Sequence, residues 1–89
     1  MPTLSIVVSG KVQGVFFRQS TREQAAHLHL VGEVWNNDDG TVGIIVSGLH
    51  SALDEFVRWC HSGPTRARVQ TVTWETIPDQ TFSAFTIRR

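Results

Sequence analysis

Hydrophobic and polar residues alternate at the start of the chain. Leu4, Ile6 and Val8 lie two residues apart, which places them on one face of an extended backbone. This period predicts a half-buried strand over residues 3–10. The polar residues expected mostly on the other face of that strand are Thr3, Ser5 and Ser9.

Further along the chain, segments with a helical spacing of apolar residues alternate with segments of extended spacing. Apolar residues recur every three or four positions over residues 18–29 and again after Ser51, which predicts two helices with Ser51 capping the second. Alternating runs predict strands over 31–36, 41–47 and 66–75, and a short last strand at Phe85 and Ile87. The fourth strand changes phase by one residue, which predicts a β-bulge near residues 70–71.

The predicted elements follow the order β-α-β-β-α-β, with a short final strand. Residues 37–40, Asn-Asp-Asp-Gly, are typical of a hairpin turn between the second and third strands. Two βαβ-like halves bring both helices to one face of the sheet. We therefore predict an α+β fold, the ferredoxin-like α/β sandwich, with an antiparallel sheet and a single domain over residues 1–89.

Charge and composition exclude several classes of function. Eight Lys and Arg residues balance eight Asp and Glu residues, so the chain lacks the basic surface that binds duplex nucleic acid. RNA recognition on the sheet would need exposed aromatic residues on the central strands, and the first and third predicted strands carry none. No apolar run exceeds three residues, whereas a transmembrane helix needs about 20. The lone Cys60 favours a reducing compartment, so we expect a cytoplasmic monomer with no nucleic-acid or membrane partner.

The segment between the first strand and the first helix is one candidate site. It runs from Gly10 to Arg18, and its glycines at 10 and 14 permit a tight loop whose backbone N–H groups converge. The helix N-terminus behind the loop adds free N–H groups and the positive end of the helix dipole. Arg18 stands in the first helical turn, where a cation is unfavourable unless an anion lies beside it. The pattern fits a site for one phosphate group, and it also fits an ordinary strand–helix loop with a surface arginine.

Asn36, at the end of the second predicted strand, is the other candidate. In this topology the end of that strand comes near the loop after the first strand. A carboxamide there could hold a water molecule through both its donor and its acceptor. The alternative interpretation is an Asx-turn residue whose side chain bonds to its own backbone.

Residues 10–18, Gly-Lys-Val-Gln-Gly-Val-Phe-Phe-Arg, resemble the signature of the acylphosphatase family. The resemblance continues with Asn36, eighteen residues after Arg18, and extends to residues 85–88. It implies the ferredoxin-like fold and the hydrolysis of acyl phosphates to a carboxylate and phosphate. It implies further that Asn36 orients the attacking water and that Thr41 supports this water. By the same resemblance, Arg18 binds the phosphoryl oxygens together with the backbone N–H groups of Lys11, Val12, Gln13, Gly14, Val15, Phe16 and Phe17.

The chemistry of acyl phosphates agrees with this set of residues. The carboxylate leaving group has a conjugate acid with a pKa of about 4, so it departs without a general acid. We therefore expect no metal and no cofactor, and no histidine has a partner at a metal-binding spacing. The expected partners are a small-molecule acyl phosphate, and inorganic phosphate as product or inhibitor. The alternative is a non-catalytic module that binds phosphate or carbamoyl phosphate.

One departure from the family pattern concerns stability. Members often carry glycine at the end of the first helix, at the position that His29 occupies in this chain. A left-handed backbone there costs a non-glycine residue about 1 kcal/mol. We expect this exchange to affect folding rather than catalysis.

Overall fold

The alternating and helical segments form five strands and two helices in the structure, a computed structural model that describes residues 1–89. The bounds of the predicted elements shift by a few residues at most. The elements are β1 (Thr3–Lys11), α1 (Phe17–His27), β2 (Val31–Asn36), β3 (Val42–Ser47), α2 (His50–Cys60), β4 (Arg68–Ile77) and β5 (Phe85–Ile87).

The five strands form one sheet in the order β4-β1-β3-β2-β5. The pairings of β1 with β3 and β4, and of β2 with β3, are antiparallel, as predicted. The prediction of a wholly antiparallel sheet is wrong for β5, which pairs parallel to β2, with Gly32 opposite Phe85. The chain leaves β4 at one edge and crosses to the other edge, so β5 enters in the direction of β2 and makes the sheet mixed.

The predicted apolar faces meet in one core between the sheet and the helices. Helix α1 packs against β2 and β5, α2 packs against β4, and the two helices contact each other. The alternation predicted for β1 and β3 is confirmed by the buried side chains of Ile6, Val8, Val42, Ile44 and Val46. Each contributes about 1.5–3 kcal/mol through removal of apolar surface from water. Thr3, predicted on the face opposite Leu4, is buried as well: its hydroxyl lies 2.6 Å from that of Ser47 and accepts a hydrogen bond from the backbone N–H of Gln80 at 3.3 Å.

The predicted bulge is present in β4. Ser9 pairs with Thr71 and Gly10 pairs with Val69, so Gln70 has no partner on β1. The extra residue accounts for the change of phase in the apolar pattern of β4. It lies at the end of β1 from which the candidate loop departs.

The ends of both helices differ from the predictions. Ser51 does not cap α2, because the N-cap position belongs to Leu49 and no side chain bonds to the helix end. Helix α1 ends at His27 and not at His29, because His29 adopts a left-handed backbone with φ of 59°. A left-handed residue just after a helix is a common terminator of helices.

Candidate active site

The loop between β1 and α1 has a backbone shape typical of anion sites. Gly14 has φ of 73° and Phe16 has φ of 64°, whereas Val15 between them has no positive φ. Phe16 is also the N-cap of α1. Alternation of left-handed and right-handed residues turns successive N–H groups toward one side, which forms a concave nest. Glycine takes this conformation freely, but Phe16 adopts it at a cost of order 1 kcal/mol.

The N–H groups of this loop have no partner in the protein. No backbone N–H from Val12 to Phe16 donates a hydrogen bond to another backbone group or to a side chain. The first turn of α1 has no side-chain cap either, and it contains no acidic residue. Because backbone donors in folded proteins are almost always paired, this row of free donors is unusual. The arrangement supplies hydrogen bonds and partial positive charge to an anion.

Two hydrogen bonds of the Gln13 side chain connect the loop to the hairpin between β2 and β3. Its Nε2 donates to the backbone oxygens of Asn37 and Thr41, at 2.8 and 2.9 Å. Val12 and Val15 anchor the loop from below, because both side chains are buried in the core. The loop is therefore held in place although its own N–H groups are unpaired.

Arg18 and Asn36 line the same cavity as this loop. The cavity has a volume of about 400 Å³. Arg18 forms no ion pair, since the one salt bridge in the chain joins the N-terminal ammonium to Asp79. No aspartate or glutamate lines the cavity, whereas three arginines do: Arg18, Arg22 and Arg89. The lining residues are Val12, Gly14, Phe16, Phe17, Arg18, Gln19, Arg22, Asn36, Ile87 and Arg89.

Asn36 also lines this cavity. It is the last residue of β2, and its Oδ1 is buried without a hydrogen-bond partner. The Asx-turn alternative is therefore wrong for Asn36. The neighbouring Asn37 takes part in the turn instead, because its Oδ1 accepts from Trp35 Nε1 at 2.8 Å and its Nδ2 donates to Thr41 Oγ1 at 2.9 Å.

Two of the predicted site residues lie elsewhere. Lys11 is the last residue of β1, opposite Arg68 on β4, and it is not part of the loop. Lys11 and Thr41 line a separate polar depression between β4 and the hairpin. The hydroxyl of Thr41 donates to Asp39 at 2.7 Å, and this bond is the main reason that the pKa of Asp39 falls below its usual value.

The aromatic residues near the site divide into packing and exposed groups. Phe17 is buried against Trp59, with ring centroids 5.6 Å apart. Phe16 is 64% exposed and forms part of the cavity wall. Trp35 packs away from the cavity, with the guanidinium of Arg88 4.1 Å from its ring centroid. Of the two phenylalanines, only Phe16 presents an exposed apolar face.

Sequence reasoning missed Arg22, which lines the cavity together with Arg89. The position of Arg22, four residues after Arg18, was an available signal because such residues neighbour each other on a helix. Arg89 follows β5, and the sequence does not indicate where the end of that strand lies. The C-terminal carboxylate, which could have paired with Arg18, forms no salt bridge with it.

Other chemistry-bearing groups are separate from the cavity. No three His, Cys, Asp or Glu side chains come together as potential metal ligands. Cys60 is buried, and burial raises the pKa of its thiol to about 12, so it is a poor nucleophile. Neither helix is long and apolar enough to span a bilayer.

Comparisons with known proteins give the family of the chain. The acylphosphatase family model matches residues 4–87. The chain belongs to the acylphosphatase family. An acylphosphatase of Rubrobacter xylanophilus is 53% identical over 73 residues, which are 82% of this chain and 66% of that relative. An acylphosphatase of Pseudomonas paraeruginosa is 44% identical over 86 residues, 97% of this chain and 94% of the relative.

Solved acylphosphatases share the fold as well. The structure of an acylphosphatase from Coxiella burnetii matches with a TM-score of 0.95 and 39% identity, over 98% of this chain and 92% of that one. The sequence-based resemblance and the ferredoxin-like α+β fold are thus confirmed. As an acylphosphatase, the chain is a hydrolase whose substrate is a small-molecule acyl phosphate.

Proposed function

We propose that this acylphosphatase holds the phosphoryl group of its substrate between the loop N–H groups and Arg18, while Asn36 orients the attacking water. One observation carries the proposal: Arg18, which has no ion pair, and Asn36, whose Oδ1 has no partner, line a single cavity together with three loop residues whose N–H groups are unpaired, Val12, Gly14 and Phe16. Each of these groups lacks a partner in the chain, and together they match the needs of a phosphoryl anion and a water molecule.

The loop and Arg18 stabilise charge. In phosphoryl transfer the transition state spreads negative charge over three equatorial oxygens, so preorganised donors lower its energy. The N–H groups from Val12 to Phe16 supply donors that need no rearrangement, since Gln13 and the buried valines hold the backbone. Arg18 adds a planar guanidinium that can contact two oxygens at once.

Asn36 acts by position rather than as a base. Its Oδ1 accepts one hydrogen of the water, whose oxygen attacks phosphorus in line with the acyl oxygen. The bond between phosphorus and the acyl oxygen breaks, and the carboxylate departs with the electron pair. The proton of the water passes to a phosphoryl oxygen, because an amide is too weak a base to keep it. The products are the carboxylate and inorganic phosphate, which we expect to compete with substrate for the loop.

Thr41 and Lys11 contribute indirectly in this scheme. The carbonyl of Thr41 holds Gln13, so Thr41 supports the loop through its backbone while its hydroxyl is engaged with Asp39. Lys11 ends β1 and fixes the point at which the loop begins. We further propose that residues 1–89 form one domain, since one continuous core includes residues from every helix and every strand except β4, whose Val69 and Val72 pack against it. We also propose that the protein is a cytoplasmic monomer, because the lone Cys60 favours a reducing compartment.

The test separates binding from turnover in two variants. Arg18→Ala is expected to lower kcat/KM for benzoyl phosphate roughly 100- to 1000-fold and to weaken competitive inhibition by phosphate. Asn36→Ala is expected to lower kcat by a similar factor while the phosphate inhibition constant stays within about threefold. Arg58→Ala, which removes a guanidinium from the exposed face of α2, serves as the control.

Two outcomes would contradict the proposal. Unchanged phosphate inhibition in Arg18→Ala would exclude the guanidinium from the anion site. Equal losses of turnover and phosphate binding in Asn36→Ala would contradict the role of Asn36 in orienting the attacking water. Tight phosphate binding by the wild-type chain without hydrolysis of benzoyl phosphate would indicate the alternative, a non-catalytic binding module.

A further inference from the structure

Two side chains are joined on the open face of the sheet, directly behind Asn36. Val34 is buried in the core, so alternation along β2 places Trp35 on the open face and Asn36 on the helix side, where it lines the cavity. The indole N–H of Trp35 donates to Asn37 Oδ1 at 2.8 Å. We call this contact the indole–amide bridge. It connects the residues on both sides of Asn36.

The side chain of Asn36 has no comparable support of its own. Its Oδ1 is buried without a hydrogen-bond partner in the chain. Asn36 is also the last residue of β2, where the chain leaves the strand for the turn. The direction of its carboxamide therefore depends on the backbone of residue 36. This direction matters, because a displacement of about 1 Å in a group that orients a reactant can lower a rate roughly 100-fold.

The indole ring is fixed by both strands that flank β2. Trp35 pairs with Gly43 on β3, and a Cβ atom added at Gly43 would lie 2.5, 2.6 and 2.7 Å from three atoms of the ring. The ring thus lies directly on the backbone of β3, a contact that any larger residue at this position would obstruct. On the β5 side, the guanidinium of Arg88 lies 4.1 Å from the ring centroid, and Arg88 N–H donates to Val34 O at 2.9 Å.

Asn37 is fixed as well, at the other end of the bridge. Its Nδ2 donates to Thr41 Oγ1 at 2.9 Å, and its backbone N–H donates to Thr41 O at 2.9 Å. The carboxamide uses its oxygen for the indole and its nitrogen for Thr41, which determines its orientation. Asn36 therefore lies between two residues that are each bonded to the neighbouring strand or turn and also to each other.

We propose that Trp35 is a positioning residue for the hydrolysis: through its bond to Asn37 it fixes the backbone of residue 36, and with it the Asn36 carboxamide that orients the attacking water. Trp35 does not line the cavity and acts only through Asn36. This inference rests on the proposed function, because it takes Asn36 as the residue that orients the water.

The experiment compares turnover with phosphate binding when Trp35 is changed. In Trp35→Ala, kcat for benzoyl phosphate is expected to fall roughly 10- to 30-fold, because the Asn36 carboxamide is no longer fixed. The constant for competitive inhibition by phosphate should stay within about twofold, since Arg18 and the loop N–H groups are unchanged. Trp35→Phe keeps an aromatic ring beside Gly43 but removes the N–H donor, and its kcat is expected to fall roughly three- to fivefold.

Gly43→Ala disrupts the bridge without changing either of its residues. The added Cβ displaces the indole ring, and Gly43 has no positive φ that alanine would strain. We expect the pattern of Trp35→Ala, a lower kcat with unchanged phosphate inhibition. Trp74→Ala is the matched control, because Trp74 is 55% exposed on β4, which two strands separate from β2. Its kcat should remain within about twofold of wild type.

A double variant distinguishes positioning from general support of the fold. If Trp35 acts through Asn36, Trp35→Ala should lower kcat by no more than about twofold in a chain that already carries Asn36→Ala. A residue that only supports the fold would lower kcat by the same factor in both backgrounds.

Each possible failure has its own signature. A wild-type kcat in Trp35→Ala overturns this inference and leaves the role of Asn36 intact. Equal losses of kcat and phosphate inhibition, or a full further loss in the Asn36→Ala background, also overturn it. If Trp35→Ala does not fold, Trp35→Phe and Gly43→Ala decide by the same two measurements. An unchanged kcat in Asn36→Ala alone refutes the proposed function itself.

Discussion

The two ends of helix α1 (Phe17–His27) present the same backbone anomaly with different consequences. At each end one non-glycine residue is left-handed, Phe16 with φ of 64° before the helix and His29 with φ of 59° after it. Such residues cost about 1 kcal/mol or more, and they occur both in active sites and in helix terminators. Backbone strain by itself therefore does not identify the functional end.

Hydrogen bonding distinguishes the two ends. After the helix, His29 N–H donates to Ala26 O at 3.1 Å and Leu30 N–H donates to Ala25 O at 2.8 Å, which is the Schellman arrangement. Before the helix, the N–H groups from Val12 to Phe16 donate to nothing in the protein. The C-terminal end is complete within the chain, and the N-terminal end requires an external acceptor. Unpaired polar groups on a fixed backbone are thus the better mark of a binding site.

For the comparison of the two helix ends, the largest effect is expected from Gly14, which the nest requires. Gly14→Ala introduces a Cβ at φ of 73° where no atom lies within 4 Å, so the cost is backbone strain and not a clash. We expect the free energy of unfolding to fall by about 1 kcal/mol. We expect kcat/KM for benzoyl phosphate to fall roughly 10- to 100-fold, because the N–H groups around residue 14 move.

A matched substitution in the hairpin tests this interpretation. Gly40 has φ of 93° and equally open surroundings, so Gly40→Ala costs similar stability. Its kcat/KM should remain within about twofold of wild type. If the two variants lose activity equally, the loop N–H groups have no special role.

The next largest effect concerns the anchor of the loop. Gln13→Glu keeps the shape of the side chain but replaces the donor that bonds to Asn37 O and Thr41 O with an acceptor. We expect the free energy of unfolding to fall by about 2 kcal/mol and kcat/KM to fall roughly tenfold. Urea denaturation and benzoyl phosphate kinetics measure the two quantities. Gln70→Glu, at the exposed bulge, is the control, and a loss of stability without loss of activity would show that the anchor does not position the loop.

A smaller effect, on stability alone, is expected at the C-terminal end of α1. His29→Gly removes the strain of the left-handed residue and should raise the free energy of unfolding by about 1 kcal/mol. For a domain of this size the melting temperature then rises by roughly 4–8 °C. Kinetic constants should not change, since His29 does not line the cavity.

The same exchange at Phe16 sharpens the comparison. Phe16→Gly relieves a similar strain and removes a side chain that is 64% exposed, so we expect stabilisation of similar size. Because glycine keeps the left-handed backbone, kcat/KM for benzoyl phosphate should stay within about threefold. A larger loss of activity would assign the Phe16 side chain itself a role in substrate binding.

The smallest effect is a change of pH dependence in the hairpin. The pKa of Asp39 lies below its ordinary value of 3.8, first because of the Thr41 hydroxyl and then because of the Thr41 N–H. A carboxyl with a lowered pKa stabilises the fold above its unfolded pKa and loses this contribution as pH falls through the folded value. Thr41→Val should therefore raise the pKa of Asp39, measured by NMR titration, and weaken the decline of stability below about pH 4. At neutral pH, kcat/KM of Thr41→Val should remain within about twofold of the wild-type value. A large loss would show that the Thr41 hydroxyl contributes to catalysis.

Much of the fold followed from periodicity in the sequence. The alternation in β1 and β3, the bulge at Gln70 and the helical stripe of α1 each depend on which residues avoid water, and local spacing reports this directly. The parallel entry of β5 and the N-cap of α2 did not follow. The entry of β5 depends on how distant segments meet, which local patterns do not encode. The N-cap of α2 lies two residues before Ser51, a difference typical of helix boundaries predicted from sequence.

In the candidate site, too, some residues could be predicted from the sequence and others could not. Residue types and spacing made the loop, Arg18 and Asn36 candidates, because glycines, a first-turn arginine and a strand-end asparagine carry local chemical meaning. The resemblance to the acylphosphatase family then gave these candidates their expected roles. The separation of Lys11 and Thr41 from the cavity, and the presence of Arg22 and Arg89 in it, arose only when β2, β5 and α1 packed together. Spacing along the chain specifies which backbone groups are unpaired, whereas the choice of side chains that face them is a property of long-range packing.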